Sequence, residues 1–359
     1  MSTSSPATRP AAATAAARLL GRPGEAIYND AGGLVQGNSP FQIVWLSDEI
    51  RDQWLERAGR KSAGSKRPAP IVFEGNIPAD IAQNHLLAQR VAAPAWAPMP
   101  AAVSAWLGDA ISIKDPTAAV FRRQNGANVV VVGQRDDAAL AVSTSMLLSL
   151  ASQLSPEQVR FVLLDGTPAD DPLAGSLERV ARTLPHGVEV VPYREAGEAV
   201  IRVAEMAAAR QHESGADAPW VFLMIHGLHR FRALRRNEDD YSFSSEEKPA
   251  SPDKAMAAIL RDGPAVGVHA IAWVDTLASL NRAVDRAAMR EFDQRVLFQL
   301  SGTDSSTLID SPAATRLGMN RALLYSEEAG TLEKFRPYSP PDPAWLERTA
   351  AAMAKRSRG

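Results

Sequence analysis

From Asn128 to Leu300 the chain alternates short, unbroken apolar runs with longer stretches of helical period. The runs are NVVVVG (128–133), RFVLLD (160–165), VEVVP (188–192), WVFLMI (220–225), VHAIAWV (268–274) and RVLFQL (295–300). A strand that is apolar on both faces has to be covered on both faces, the condition of a parallel sheet clothed by crossover helices. The pattern therefore predicts a doubly wound α/β core.

Flanking segments read differently. Residues 1–18 are Ser, Thr, Ala and Pro with two arginines and no acid, which suits a flexible lead-in better than a signal peptide. From Leu19 to Leu46, the β-like runs EAIY and FQIVWL flank the turn-rich NDAGGLVQGNSP and predict a hairpin. Between Ser47 and Pro100 come a polar amphipathic helix, KSAGSKRPAP, IVFEG and a helix opened by Pro78. Residues 19–104 thus read as hairpin and linker, 105–340 as the core domain, and 341–359 as a C-terminal helix or tail. The acidic, Ser-rich stretch between Arg235 and Lys254 has almost no aliphatic residue and predicts a mobile surface loop. One internal echo stands out: AAARLLGRPGEAIYNDAGGL (15–34) repeats in AATRLGMNRALLYSEEAGTL (313–332). Either two similar hairpins arose by chance in an Ala-rich chain, or the chain opens with the closing hairpin of a preceding module.

Charge and composition exclude several classes. Lys and Arg number 39 against 41 acidic residues, so there is no global basic field for nucleic acid or an anionic membrane. DNA contact would have to be local, through Arg230, Arg232, Arg235 and Arg236, or Lys355, Arg356 and Arg358. The absence of cysteine removes disulfides, thiolate catalysis and Cys-based zinc sites, and fits a reducing cytoplasm. No apolar run approaches the roughly 18 residues of a membrane helix, so membrane insertion is not expected. His226 and His229 are three apart, but no third ligand accompanies them and no metal is expected. No G-x-S-x-G elbow occurs, and nucleophilic catalysis has no positive signal.

The run Asn128–Leu150, NVVVVGQRDDAALAVSTSMLLSL, resembles the strand, phosphate loop and first helix of the FtsK/SpoIIIE and HerA group of motor ATPases. RFVLLD, LPHGVEVV (184–191), PWVFLMI (219–225), RDGPAVGVHAIAW (261–273) and EFDQRVLFQLSGTDSSTLIDSPAATRLGMNRALLY (291–325) follow in the order of that group. The resemblance covers about residues 105–340, and the hairpin before it resembles the junction between modules in tandem members such as type VII secretion ATPases. It implies a RecA-like P-loop NTPase fold, with a mostly parallel sheet covered by helices, preceded by a β-hairpin and linker.

The chemistry of that group is missing. A phosphate loop needs G-x-x-x-x-G-K-[ST], in which glycines let backbone N–H groups approach the phosphates, Lys neutralises charge and the hydroxyl holds magnesium. Within the remnant Gly133, Gln134, Arg135, Asp136, Asp137, Ala138, Ala139 and Leu140, only the first glycine survives. Ala138 replaces the second glycine, Ala139 the lysine and Leu140 the hydroxyl. A carboxylate about 4 Å from a phosphate charge is repelled by roughly 4 kcal/mol at an effective dielectric near 20, and Asp136 and Asp137 supply two. Either could instead cap the helix and fill the vacated anion site. His226 and Gly227 stand at the positions of the Asp-Glu pair that would hold magnesium and activate water. Val274 and Asp275 replace the sensor Thr and Gln, and Ser306 replaces a frequent arginine.

The resemblance therefore implies a pseudo-ATPase module with no catalytic residue and no cofactor, a structural or regulatory part of a larger ATP-driven assembly, with a DNA translocase as the leading case. Its expected partners are an active ATPase module or other protein subunits, within a ring-like oligomer in some arrangements. Two alternatives remain open. One is a DNA translocase subunit whose ATP and magnesium site is completed by a partner, with Arg282, Arg286, Arg290 or Arg295 acting in trans on a neighbour's nucleotide. The other is an adaptor module of a protein-secretion motor.

Overall fold

The computed structural model describes residues 20–29, 35–62, 77–212, 218–236 and 251–356, and the chain divides into two compact units, Met1–Val72 and Phe73–Gly359. Residues 71–75 (IVFEG), most of the acidic loop and Arg358 lie outside the described residues.

In the smaller unit, β1 (Glu25–Asn29) pairs antiparallel with β2 (Asn38–Gln42), and α1 (Asp48–Ser62) follows. The expected second strand, FQIVWL, is shorter and starts earlier than its sequence suggests. β1 offers only five partners, and Glu25 opposite Gln42 is the last of them. Gly24 turns the chain there at a φ of 87°, and its carbonyl accepts from Ile43 N–H at 2.8 Å.

The larger unit is built on one ten-stranded sheet. Its strands are β3 (Ala102–Ala110), β4 (Thr117–Arg122), β5 (Val129–Val132), β6 (Val159–Asp165), β7 (Val188–Val191), β8 (Trp220–His226), β9 (Val268–Val274), β10 (Gln294–Leu297), β11 (Ala322–Ser326) and β12 (Thr331–Pro337), in the order β4-β3-β12-β11-β10-β5-β9-β8-β6-β7. From β10 to β7 all neighbours are parallel, and from β10 outward to β4 all are antiparallel. The six apolar runs of the sequence are the six parallel strands. Alternation along β5 explains the two layers. Val129 and Val131 enter one core with α2 (His85–Val91), α3 (Asp136–Gln153), α4 (Ser176–Thr183) and α10 (Pro343–Ala354). Val130 and Val132 enter the other, with α5 (Ala196–His212), α6 (Pro252–Asp262), α7 (Leu277–Ala283), α8 (Arg286–Arg290) and α9 (Gly302–Ile309).

Residues 77–104 are not linker. Ala79 bridges to Tyr338, and Ile81, Leu87 and Trp96 are buried in the same core as Val129. The helix expected at Pro78 is a 3-10 turn at Ile81–Gln83 followed by α2, because the Asn84 side chain accepts from Leu86 and Leu87 N–H at 3.0 Å and starts the helix there.

Helix α3 is buried continuously from Ala139 to Ser152. Three of its serines donate within it, Ser145 to the Val142 carbonyl, Ser149 to the Ser145 carbonyl at 2.6 Å and Ser152 to the Ser149 carbonyl, and Ser149 Oγ also accepts from Trp106 N–H of β3 at 3.1 Å. On the face of the sheet that it covers, α3 packs against β3, β8 and β12.

Candidate functional site

Strand order places β9 between β5 and β8, so residues 133–140, Asp275 and His226 all emerge at the carboxyl ends of neighbouring parallel strands. That edge is where ligands bind in open α/β sheets.

The loop between β5 and α3 is occupied by the protein's own groups. Gly133 N–H donates to the Val274 carbonyl at 3.0 Å, and its carbonyl accepts from Trp273 Nε1 at 2.9 Å. A Cβ at residue 133 would lie 2.6 Å from Cβ of Phe298, the residue after β10. The surviving glycine thus makes room for an aromatic ring. Asp136 forms an ion pair with Arg230, whose guanidinium lies 5.2 Å over the Trp273 ring. Asp137 pairs with Arg135, and that guanidinium, with backbone N–H groups at the helix start, holds its carboxyl below the usual range. Neither aspartate is the N-cap. Arg135 holds that position without a side-chain cap bond, and the two acids sit in the first turn, where they still meet the positive end of the helix.

His226 ends β8 opposite Asp165 of β6. It is 3% exposed, its ring centre lies 4.5 Å from that of Trp273, and Nδ1 is 3.2 Å from the Ser143 hydroxyl of α3. Burial pushes its imidazole down to about 4 and keeps it neutral near pH 7. Gly227 follows at a φ of 80° and starts the turn that brings Arg230 back to Asp136. His229 lies against the edge of the same Trp273, so the two imidazoles share a tryptophan rather than a helix face. Among the described residues, no group of three His, Cys, Asp or Glu is placed to hold a metal ion.

Beside the loop a cavity of about 590 Å³ is lined by Gln134, Arg135, Asp137, Thr276, Phe298 and Asp304 among others. No lysine or hydroxyl lies within residues 133–140, and the one loop cation is spent on Asp137.

The candidate trans-acting arginines divide. Arg282, Arg286 and Arg290 are exposed on α7 and α8. Arg295 is corrected to a structural residue. It is 8% exposed and donates to the carbonyls of Phe292 and Leu308 at 2.9 and 2.6 Å, and to Glu327 at 2.6 Å. Arg356 is likewise internal, donating to the Ser152 and Ala95 carbonyls with its guanidinium 3.7 Å from the Trp96 ring centre. Arg232, Arg235, Arg236 and Lys355 remain exposed. Phe298, Ser143 and Trp273 carry no motif of their own, so no local sequence signal marks them as part of this cluster. Arg230 was visible only as one of a basic cluster.

Solved structures with similar folds include ATPases 2 and 3 of EssC from Geobacillus thermodenitrificans, at 15% identity and a TM-score of 0.53 over 79% of this chain and 52% of that one. The cytoplasmic domain of the type VII secretion ATPase EccC from Thermomonospora curvata matches at 17% identity and a TM-score of 0.55, over 79% and 35%. The pCW3 conjugation coupling protein TcpA, in a monomer form with ATPγS, matches at 10% and 0.51 over 88% of each chain. This chain spans about half the length of the first and about a third of the second. No protein-family model and no curated protein matches it. The comparison bears out the α/β fold expected from the FtsK/SpoIIIE resemblance. No described helix is long and apolar enough to cross a membrane.

Proposed function

We propose that this chain is a non-catalytic module with the fold of a motor ATPase, serving as a structural or regulatory part of a larger ATP-driven assembly. The observation that carries this reading is the pairing of Asp136 with Arg230 and of Asp137 with Arg135. Charges that would have to be free to meet a phosphate are already answered, and the acids themselves repel one. The intact core argues that the fold is kept for its surface. Similarity to a conjugation coupling protein supports a DNA translocase as the assembly, with exposed Arg232, Arg235 and Arg236 as its phosphate contacts. Similarity to EssC and EccC supports the second reading, an adaptor module of a protein-secretion motor.

Calorimetric titration with ATP and magnesium tests the shared premise, and the expected result is no heat of binding. Saturable binding by the chain alone overturns it. Binding that needs an added ATPase subunit, and is lost in Arg282→Ala, Arg286→Ala or Arg290→Ala, moves the site to an interface. Affinity for duplex DNA that falls steeply with salt separates the translocase from the adaptor.

A further inference from the structure

The walls of the cavity beside residues 133–140 are held by the protein's own backbone. Where the chain leaves β12, Ala79 N–H donates to the Pro337 carbonyl at 2.9 Å, Tyr338 N–H to the Leu107 carbonyl at 3.1 Å, and Ser339 N–H to the Ala79 carbonyl at 2.8 Å. Across from these, Phe298 N–H donates to the Val132 carbonyl at 3.0 Å. Helix α3 adds Ala138 and Ala141 to the lining, side chains small enough to leave the space between the walls open. At about 590 Å³ the cavity has the size of a small-molecule site, with an apolar floor already in place.

What such a cavity takes depends on the charges that face it. Four charged side chains line it: Arg135, Asp137, Asp304 and Arg321. Arg135 and Asp137 form an ion pair, and Arg321 Nη1 donates to the Asn320 carbonyl at 2.9 Å. Asp304 differs. It sits half-buried in the first turn of α9, its backbone N–H donates to the Ser301 hydroxyl at 3.1 Å, and its carboxylate has neither an ion-pair partner nor a hydrogen-bond donor among the described residues. The start of α9 would otherwise favour an anion, and Asp304 already supplies one there.

An entering anion would meet both Asp137 and Asp304, and a neutral ligand would gain burial alone. A cation gains burial and a charge-assisted hydrogen bond to an unanswered carboxylate. The amide oxygens of Gln134 and Gln299, on the same walls, can accept further N–H groups of its head.

We propose that this cavity binds an organic cation, a guanidinium, amidinium or ammonium head set against Asp304 on an apolar body that covers Ala138, Ala141 and Phe298. Two sources carry that chemistry, a free organic amine and the arginine side chain of a neighbouring protein. The proposal goes beyond the non-catalytic reading, which rests on the pairs of Asp136 and Asp137 and not on Asp304.

The test is calorimetric titration of the full chain with benzamidine, with its neutral counterpart benzamide and with its anionic counterpart benzoate. Benzamidine is expected to bind saturably, benzamide roughly tenfold or more weakly, and benzoate not at all. Asp304→Asn should bring benzamidine down to the level of benzamide and leave benzamide unchanged, which also shows that the cavity of the variant is intact. Ala138→Phe, which fills the space, should weaken both. Agmatine and the capped peptide acetyl-Leu-Arg-Leu-amide then separate the sources, the tighter of the two marking a free amine or a protein side chain. Benzoate bound as tightly as benzamidine, an Asp304→Asn variant that holds benzamidine as wild type does, or no binding of any probe would each overturn the proposal. Failure of the non-catalytic reading is seen separately, as heat from magnesium ATP titrated into the same protein, and a chain that binds none of the probes can still be non-catalytic.

Discussion

Replacing Asp136 with Asn keeps the volume of the side chain and removes the charge that answers Arg230. The pair is mostly shielded, at 20% exposure for Arg230 and 31% for Asp136, and Arg230 Nη1 is a buried atom with no hydrogen-bond partner. A charge-assisted hydrogen bond contributes about 1.5–3 kcal/mol, and an acid in a first helical turn about 0.3–1 kcal/mol. The variant should lose about 2–3 kcal/mol. With a urea slope of about 1–3 kcal/mol/M, the denaturation midpoint should fall by roughly 1 M in a buffer free of phosphate, at unchanged slope. Arg230 and the start of α3 would then lack an anion, so pyrophosphate should restore part of the loss. At ten times its dissociation constant the gain is about 1.4 kcal/mol. Wild-type protein should gain nothing, because Asp136 already holds the place. An Asp136→Asn variant as stable as wild type, or pyrophosphate that stabilises both proteins equally, would refute the idea that this carboxylate fills the anion site.

Three further outcomes are expected. His226 and His269 are both buried, and burial lowers each to about 4. Both are neutral in the folded state, so stability present above the unfolded value of about 6.5 is lost as pH falls from there toward 4, by about 2 kcal/mol for each histidine at pH 5. Denaturation midpoints that stay level between pH 7 and pH 5 would contradict this, and His226→Gln should remove part of the pH dependence, since His186 and His229 are lowered by burial as well. Gly133→Ala brings a Cβ to 2.6 Å from Phe298 and should cost about 1–3 kcal/mol in calorimetric unfolding, whereas a neutral substitution would show that the glycine is not kept for that ring. Rebuilding the loop with Asp136→Ser, Asp137→Gly, Ala138→Gly, Ala139→Lys and Leu140→Thr should raise affinity for magnesium ATP, and a folded variant with no gain would count against reading residues 133–140 as a phosphate loop.

The parallel half of the sheet, and the identities of residues 133–140, are legible in the amino-acid sequence alone. Six unbroken apolar runs can be buried only with a layer on each face, and the lack of a lysine or hydroxyl at residues 138–140 is a matter of local identity that folding does not alter. Tertiary structure decided what each group meets. Arg230 lies 94 residues from Asp136 in the chain, and in sequence it looked like one more cation of a surface cluster. Arg295 and Arg356 likewise read as available cations, yet carbonyls brought from distant segments take up their donors. The antiparallel half of the sheet depends on pairings such as Phe335 with Ala110, for which no local periodicity exists. Short-range pattern reports which surfaces must be covered, because burial depends on the side chains an element carries. Which surface covers them depends on strand order and register, set jointly by segments hundreds of residues apart.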